Sequence, residues 1–170
     1  MKSVNARFIA RAALIAAVYA VVTVILAPIS YGQIQVRVSE MLTVLAYLDP
    51  AAILGLYVGA FLANLRSPFG PIDYFFGSFL TLAAAIVTYF AGRFFERFSK
   101  KIFYYIGPLV ALLPVVVFNA FGVAYILKVA AKLPFLLSAL YVGAGELIAV
   151  YLLGYPFLLV VIRLGIYESK

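Results

Sequence analysis

The chain has 170 residues, of which 67% are hydrophobic and 11% are charged, and its formal net charge is +7. This composition excludes an ordinary soluble domain and indicates a polytopic membrane protein, since each bilayer crossing needs about 20 apolar residues. Cysteine and histidine are absent from the sequence. Disulfides, thiol nucleophiles and the usual transition-metal ligands are therefore excluded, and we expect no metal and no cofactor.

The apolar runs predict an all-α membrane protein with about six transmembrane helices in a single domain over residues 1–170. In chain order the runs cover residues 8–29, 38–48, 51–65, 72–95, 104–127 and 135–163. Pro28, the pair Asp49-Pro50 and the stretch "NLRSPFGP" separate the first runs. The second and third runs are short, and short helices at membrane depth are tolerated mainly where they are buried in protein or line a cavity. A site beside these two helices is predicted.

The distribution of lysine and arginine predicts that both termini are cytoplasmic. With the N-terminus inside, nine of the 13 basic residues lie on the inner side, which the positive-inside rule favours. Those inside are Lys2, Arg7, Arg11, Arg93, Arg97, Lys100, Lys101, Arg163 and Lys170, and those outside are Arg37, Arg66, Lys128 and Lys132.

Small residues recur at a spacing of four along the first predicted helix, at Ala12, Ala16 and Ala20. A stripe of this kind lets another helix approach closely. The pattern alone is compatible with packing inside the six-helix unit and with contact to a separate subunit.

Six polar or charged residues interrupt segments that are otherwise apolar, where such groups are costly and usually face a cavity or a partner. With a rise of about 1.5 Å per residue, the predicted helices bring them to a similar level in the outer half of the membrane. Their convergence predicts a ligand site that is open to the outside. The residues are Arg37, Glu40, Asn64, Asp73, Asn119 and Glu146.

Most of these residues also have a purely structural interpretation. Arg37 and Glu40 could pair with each other at i,i+3 where a helix begins. Asp73 could be favoured at a helix start by the macrodipole, and Asn64 could cap a helix end. Asn119 could hydrogen-bond a neighbouring helix.

Glu146 is harder to explain in this way, because the surrounding "YVGAGELIAVYLLG" offers no cation within a helical turn. An enzyme is disfavoured, since hydrolysis would need a nucleophile with a base or a second suitable carboxylate. A carboxylate, carboxamides and aromatic rings instead suit a flat polar heterocycle, with Tyr31, Tyr74, Phe118 and Tyr141 as candidate contacts. No G-x-x-x-x-G-K-[ST] loop is present, so active transport would draw its energy from a gradient or from another polypeptide.

Four stretches, in this order and spacing, carry a resemblance to a known family: "ISYGQIQVRVSEMLTVL", "PAAILGLYVGAFLANLRSPFGPIDYFFGS", "VVFNAFGV" and "YVGAGELIAVYLLGYP". The chain resembles the queuosine-precursor transporter family, whose members are substrate-binding S-components of energy-coupling factor (ECF) transporters. The resemblance runs from about residue 8 to 160. It implies a multi-pass protein of a prokaryotic cell membrane that binds a 7-deazaguanine such as preQ1 or queuine from outside.

The resemblance also implies partner subunits and a loop that closes over the substrate. A transmembrane coupling subunit and two cytoplasmic ATPases would complete the transporter, and no nucleic acid would be involved. Alanine stripes on the first helix of S-components dock the coupling subunit, which favours that role for Ala12, Ala16 and Ala20. The loop between helices one and two folds over the substrate, so residues 31–40, here called the lid segment, would close the site with Arg37 and Glu40 as anchors or ligand contacts.

Three alternatives stay open at this point. The chain could be an S-component for a different vitamin. It could be a carrier that works alone on an ion gradient, for which Glu146 and Asp73 would have to serve as a coupling site. It could also be a structural membrane protein without a ligand, in which the polar residues only join helices.

Overall fold

The computed structural model describes residues 5–32, 35–95, 97 and 106–165, and these form a bundle of helices without a strand. Four helices are long and apolar enough to cross a membrane, and two apolar helices are shorter. In chain order they are α1 (Ala6–Ile25), α2 (Val38–Tyr47), α3 (Pro50–Asn64), α4 (Asp73–Phe95), α5 (Gly107–Ala131) and α6 (Phe135–Arg163). The predicted all-helical membrane class is confirmed, while the inward orientation of the termini stays a prediction. Of the basic residues behind it, Lys2, Lys100, Lys101 and Lys170 lie outside the described residues.

Helix ends follow local sequence signals. The Asn5 side chain accepts a hydrogen bond from the backbone N–H of Arg7 and caps α1, and Asp49 caps α3 in the same way ahead of Pro50. The first helix ends at Ile25, and a separate helical turn, Ala27–Ser30, contains Pro28. The predicted run to residue 29 is therefore broken by the proline.

α5 extends four residues beyond the predicted end at residue 127, because it continues through Lys128 to Ala131. Lys132 then adopts a left-handed conformation with φ of 55° and donates its backbone N–H to the Leu127 carbonyl. A lysine at a helix end does not stop the helix, since its long side chain reaches toward the interface. The predicted start at residue 104 lies outside the described residues.

α2 is a 3₁₀ helix and forms the centre of the bundle, contacting α1, α3, α4 and α6. Its ten residues cover about 20 Å at the 3₁₀ rise, compared with about 15 Å for an α-helix. The tighter winding thus gives a short segment additional reach. Seven of its residues are buried, in agreement with the expectation that a short helix at this depth is enclosed by protein: Ser39, Glu40, Thr43, Val44, Leu45, Ala46 and Tyr47.

The alanine stripe of α1 packs against α3. Ala12 and Ala16 are both 5% exposed, and two glycines of α3 lie opposite them. A Cβ atom on Gly55 would lie 2.7 Å from the Ala12 carbonyl oxygen, and one on Gly59 would lie 2.9 Å from that of Ala16. Such contacts allow close helix approach only without a Cβ on the facing side.

This packing supports the internal interpretation of the stripe, and its contact with a partner subunit stays a prediction. Ala12 and Ala16 are covered by α3 and could meet a partner only if the two helices separated, while Ala20 is half-buried. Their neighbours Ala13 and Ala17 are exposed on the outer face of α1. The internal interpretation of the stripe is the one that agrees with the structure.

Two helices contain wide π turns. The first comprises Asp73–Gly77 at the start of α4, and the second comprises Ile148–Gly154 within α6. Pro156 follows the second π turn and lacks the N–H that an α-helix would need there. Single π turns occur frequently at functional sites, and here one contains Asp73 and the other begins two residues after Glu146.

Candidate functional site

Five buried polar side chains from different parts of the chain gather between α1, α2, α5 and α6. None is more than 5% exposed, and Tyr19 donates a hydrogen bond to Glu40. Most of these helices are otherwise apolar, so a group of this kind is costly unless it has a function. We call it the polar cluster, and it consists of Tyr19, Arg37, Glu40, Asn119 and Glu146.

Glu40 is held from one side by α1. The hydroxyl of Tyr19 donates a hydrogen bond to Glu40 Oε1, and both side chains are fully buried. One residue earlier, Ser39 exchanges a hydrogen bond with Thr23, one helical turn beyond Tyr19 on α1. The second carboxylate oxygen, Glu40 Oε2, is buried and has no hydrogen-bond partner within the described part of the chain.

Asn119 lies next to the carboxylates of both Glu40 and Glu146. Its Nδ2 atom nevertheless forms no hydrogen bond, and neither does Glu146 Oε2, as far as the described residues extend. A buried donor or acceptor without a partner costs about 1–3 kcal/mol, and native proteins keep few of them. These two unpaired acceptors and one unpaired donor are therefore candidate ligand contacts.

Arg37 precedes α2 and supplies the positive charge of the cluster. Its guanidinium lies over the ring of Tyr31, 5.6 Å from the centroid, and it acts on Glu40, Glu146 and Asp73. No ion pair within 4.0 Å joins Arg37 to Glu40 in the described residues, so the simple i,i+3 pair is not formed. The contact that the structure defines for this guanidinium is the face of the Tyr31 ring.

The described residues of the predicted lid segment contact the turn after α1, α3 and α6. The Tyr31 hydroxyl donates a 2.6 Å hydrogen bond to the Ala63 carbonyl, and the Val36 N–H donates a 2.9 Å bond to the Ile29 carbonyl. The Gln35 carbonyl oxygen packs directly on Gly145, the residue before Glu146. Residues 33 and 34 of the lid segment lie outside the described residues.

Tyr31 lies between the helices, and its environment keeps its hydroxyl a donor. Burial raises the pKa of Tyr31, Asp73 raises it further, and Arg37 opposes the shift. A protonated hydroxyl is what the bond to the Ala63 carbonyl requires. Tyr31 therefore fixes the beginning of the lid segment to the end of α3.

Asn64 and Asp73 join the end of α3 to the start of α4. Asn64 Nδ2 donates a 3.2 Å bond to the Asp73 carbonyl and lies 3.5 Å from the Ser78 hydroxyl, while Asn64 Oδ1 has no partner in the described part of the protein. Asp73 is 2% exposed and acts on Arg37 and Tyr31. These two residues border the polar cluster, and Asn64 ties two helices together rather than capping one.

The remaining aromatic candidates are engaged in packing. Tyr74 contacts Phe61 and Phe75, with ring centroids 6.0 and 4.8 Å apart. Phe118 packs against a core group that includes Val44 and Leu112. Tyr141 is half-buried on α6. Tyr31 therefore adjoins the polar cluster by its contact with Arg37, whereas Tyr74 and Phe118 pack between helices.

Tyr19 is the member of the cluster that sequence reasoning missed. A tyrosine in an apolar helix is ordinary, and its partner Glu40 is 21 residues away. The spacing of Tyr19 and Thr23 could have indicated its role. These two polar residues are four apart on α1 and therefore share one face of the helix. That face turns toward α2.

Comparison with known proteins identifies the family of the chain. Residues 9–163 match the family model described as QueT transporter. The queuosine precursor transporter QueT of Lactococcus lactis subsp. cremoris (strain MG1363) is 32% identical over 160 residues, which cover 89% of this chain and 90% of the relative. No solved structure matches the chain. The chain therefore belongs to the QueT transporter family.

Proposed function

We propose that the chain is the substrate-binding S-component of an ECF-type transporter that takes up a queuosine precursor of the 7-deazaguanine class, such as preQ1 or queuine. The relative from Lactococcus lactis is named a queuosine precursor transporter, which supports this substrate class. The observation that carries the proposal is the buried pair formed by the unpaired Glu146 Oε2 and the unpaired Asn119 Nδ2.

This pair is complementary to the edge of a guanine-like ring. The ring presents a carbonyl oxygen beside an N–H and an amino group. A carboxylate accepts from the N–H and the amino group, and a carboxamide N–H donates to the carbonyl. Glu146 and Asn119 lie next to each other and provide these two complementary groups.

The lid segment would confine the bound base. Gln35 is 4% exposed and its backbone lies on Gly145, so the peptide next to the cluster closes access from that side. The hydrogen bond from Tyr31 to Ala63 fixes the other end of the same segment. Entry and release of the base would require Gln35 to move away from α6.

The transport step would depend on partner subunits in the cell membrane of a prokaryote. The chain carries no nucleotide-binding loop, so ATP hydrolysis would reside on two ATPase subunits, and a transmembrane coupling subunit would connect them to this chain. The outer face of α1 with the exposed Ala13 and Ala17 is the surface we propose for that subunit. No catalytic residue is assigned in this chain.

A binding screen with the purified chain tests the proposal. The parent chain in detergent is heated with preQ1, queuine, guanine and several vitamins, and each hit is titrated by calorimetry. A ligand that binds only the folded state raises the midpoint of unfolding. Saturable stabilisation by a 7-deazaguanine is expected, whereas stabilisation by an unrelated vitamin alone would overturn the substrate assignment.

A carrier that works alone is the second candidate, because Glu40 and Glu146 act on each other and adjacent carboxylates can relay protons. Uptake into proteoliposomes that contain only this chain, driven by a proton gradient, would support the carrier. Uptake that requires the coupling subunit, the ATPases and ATP would support the S-component.

A further inference from the structure

One exposed face of α4 carries apolar side chains and ends in two arginines. Its exposed residues are spaced three and four apart, and such residues share one face of a helix. The apolar part covers about 16 Å at about 1.5 Å per residue, which is about half of a hydrocarbon core of about 30 Å. The arginines follow at the level where the headgroups of one leaflet begin. In chain order the face consists of Phe79, Ala83, Ile86, Phe90, Arg93 and Arg97.

A surface cavity lies at the arginine end of this face. Its volume is about 590 Å³, which falls within the range of about 300–1,000 Å³ that is usual for small-molecule sites. The cavity is lined by two guanidinium groups and two aromatic rings, which belong to Arg93, Arg97, Tyr89 and Phe90. Positive charge and apolar surface therefore border the same space.

Both arginines are positioned by the chain itself. Arg93 Nε donates a 3.2 Å hydrogen bond to the Tyr89 hydroxyl, and the guanidinium carbon lies 5.5 Å from the centroid of the Tyr89 ring. The Arg97 N–H donates a 3.2 Å bond to the Phe94 carbonyl, so the helical path continues past the end of α4. In the described part of the chain no carboxylate lies within 4.0 Å of the Arg97 guanidinium. Groups that are held in place before a ligand arrives lose less conformational entropy on binding.

We propose that this cavity binds the phosphate of an anionic phospholipid, with an acyl chain of the same lipid along the apolar face of α4. Arginine forms paired, charge-assisted hydrogen bonds with phosphate oxygens. Basic pockets at the ends of membrane helices recognise anionic headgroups in this way. A soluble phosphate would use the arginines alone, whereas a phospholipid uses both parts of the face. The site lies outside the polar cluster and does not depend on the proposed function.

Each arginine alone also has an explanation without a ligand. A cation in the last turn of a helix interacts favourably with the helix dipole, and basic residues beside a membrane helix help to set its orientation. These effects need only a positive charge near the helix end. They require neither a particular lipid nor one arginine rather than another, so lipid charge and the position of the arginine are the two quantities to vary.

The test measures lipid binding to the intact purified chain in a neutral detergent. Native mass spectrometry follows the titration with dioleoylphosphatidylglycerol, which is anionic, and with dioleoylphosphatidylcholine, which has no net charge. A basic residue near a membrane surface contributes about 1 kcal/mol of attraction to anionic lipid, or about fivefold in affinity. With two arginines we expect phosphatidylglycerol to bind about 10- to 30-fold more tightly. Inorganic phosphate at the same concentration should not displace the bound lipid, because it lacks an acyl chain.

Variants then assign the preference to the cavity. Arg93→Gln and Arg97→Gln should each lower the affinity for phosphatidylglycerol about fivefold and leave that for phosphatidylcholine unchanged. The matched control is Arg163→Gln, because Arg163 is also an exposed arginine in the last turn of a membrane helix, α6. This control removes the same charge and should keep the parent affinities. Both cavity arginines are exposed, and substitutions of exposed residues change stability little.

Each outcome decides for or against the site. Equal binding of the two lipids by the parent chain would overturn the inference, and this comparison needs no variant. An equal loss in Arg97→Gln and Arg163→Gln would show a general attraction to basic residues instead of a site on α4. Displacement of phosphatidylglycerol by an equal concentration of inorganic phosphate would show that the cavity binds a soluble anion.

Discussion

The carbonyl oxygen of Gln35 packs against Gly145 so closely that a Cβ atom on residue 145 would overlap it. The contact joins the lid segment to α6 one residue before Glu146. Gly143, two residues earlier on the same helix, has no such restriction, because its nearest neighbour would be the Ala120 Cβ at 3.4 Å. The contact between Gln35 and α6 therefore depends on the absence of a side chain at residue 145.

Gly145→Ala should weaken ligand binding, because the new methyl group displaces the Gln35 peptide from α6. Overpacking of this kind costs about 1–3 kcal/mol, or about 5- to 150-fold in affinity. Gly143→Ala serves as the control and should bind within about threefold of the parent. Titration of both variants with the ligand of the parent chain measures the effect. Equal affinities of the two variants would mean that closure does not need this contact.

Glu146→Gln should lower the affinity for a 7-deazaguanine by about 30- to 1000-fold, or roughly 2–4 kcal/mol, because an acceptor oxygen becomes a donor that faces another donor. Asn119→Ala should cost less, roughly 1–2 kcal/mol, if it removes one neutral hydrogen bond. Calorimetry on both variants gives the comparison. A Glu146→Gln chain that binds as tightly as the parent would leave Glu146 as a packing or gating residue.

Substitutions on the two faces of α1 should have opposite effects. Ala16→Leu should destabilise the isolated chain by about 1–3 kcal/mol, because Ala16 faces Gly59 of α3 without free space. Ala17→Leu adds the same side chain on the exposed face and should leave the midpoint of unfolding unchanged while reducing co-purification with the coupling subunit. If Ala17→Leu co-purifies normally, the outer face of α1 is not the docking surface.

Tyr19→Phe should lower the thermal stability of the ligand-free chain, because Glu40 Oε1 loses its donor and both carboxylate oxygens are then unpaired. The expected cost is about 1–3 kcal/mol. Thr23→Val removes a hydroxyl one turn further along α1, where the partner is the neutral Ser39, and about 0.5–1.5 kcal/mol is expected there. The midpoints of unfolding in detergent compare the two variants. An equal loss of stability in both would mean that the Tyr19 hydrogen bond contributes no more than the Thr23 hydrogen bond.

Much of the fold follows from local chemistry. Pro28, Pro50 and the "NLRSPFGP" stretch separate the helices near the predicted positions, because a proline restricts its own backbone and that of the preceding residue. The 3₁₀ winding of α2 was not predictable in this way. A 3₁₀ helix and an α-helix differ by one residue in the spacing of their hydrogen bonds. Packing determines which of the two the segment adopts, through its contacts with α1, α3, α4 and α6.

Part of the candidate site was predictable, because a polar residue in an apolar segment is costly to bury and is therefore a candidate for a functional role. Glu40, Asn119 and Glu146 were identified for that reason, and the structure brings them together. Tyr19 was missed because a phenol is acceptable in an apolar helix with or without a role. The packing partner of Ala16 was not predictable, because a small residue indicates close approach of another helix without indicating which one, and Gly59 lies 43 positions further along the chain.

Stability and ligand recognition place opposite demands on three unpaired atoms of the polar cluster. These atoms are Glu40 Oε2, Asn119 Nδ2 and Glu146 Oε2. Each lowers the stability of the empty protein, and under the proposed function Asn119 Nδ2 and Glu146 Oε2 would regain partners when the base is bound. Evolution toward a more robust empty chain would replace these side chains with apolar ones and so abolish recognition. The same conflict makes a ligand-saturated sample the better starting point for crystallisation, since occupancy stabilises the folded state in proportion to the logarithm of the ligand excess.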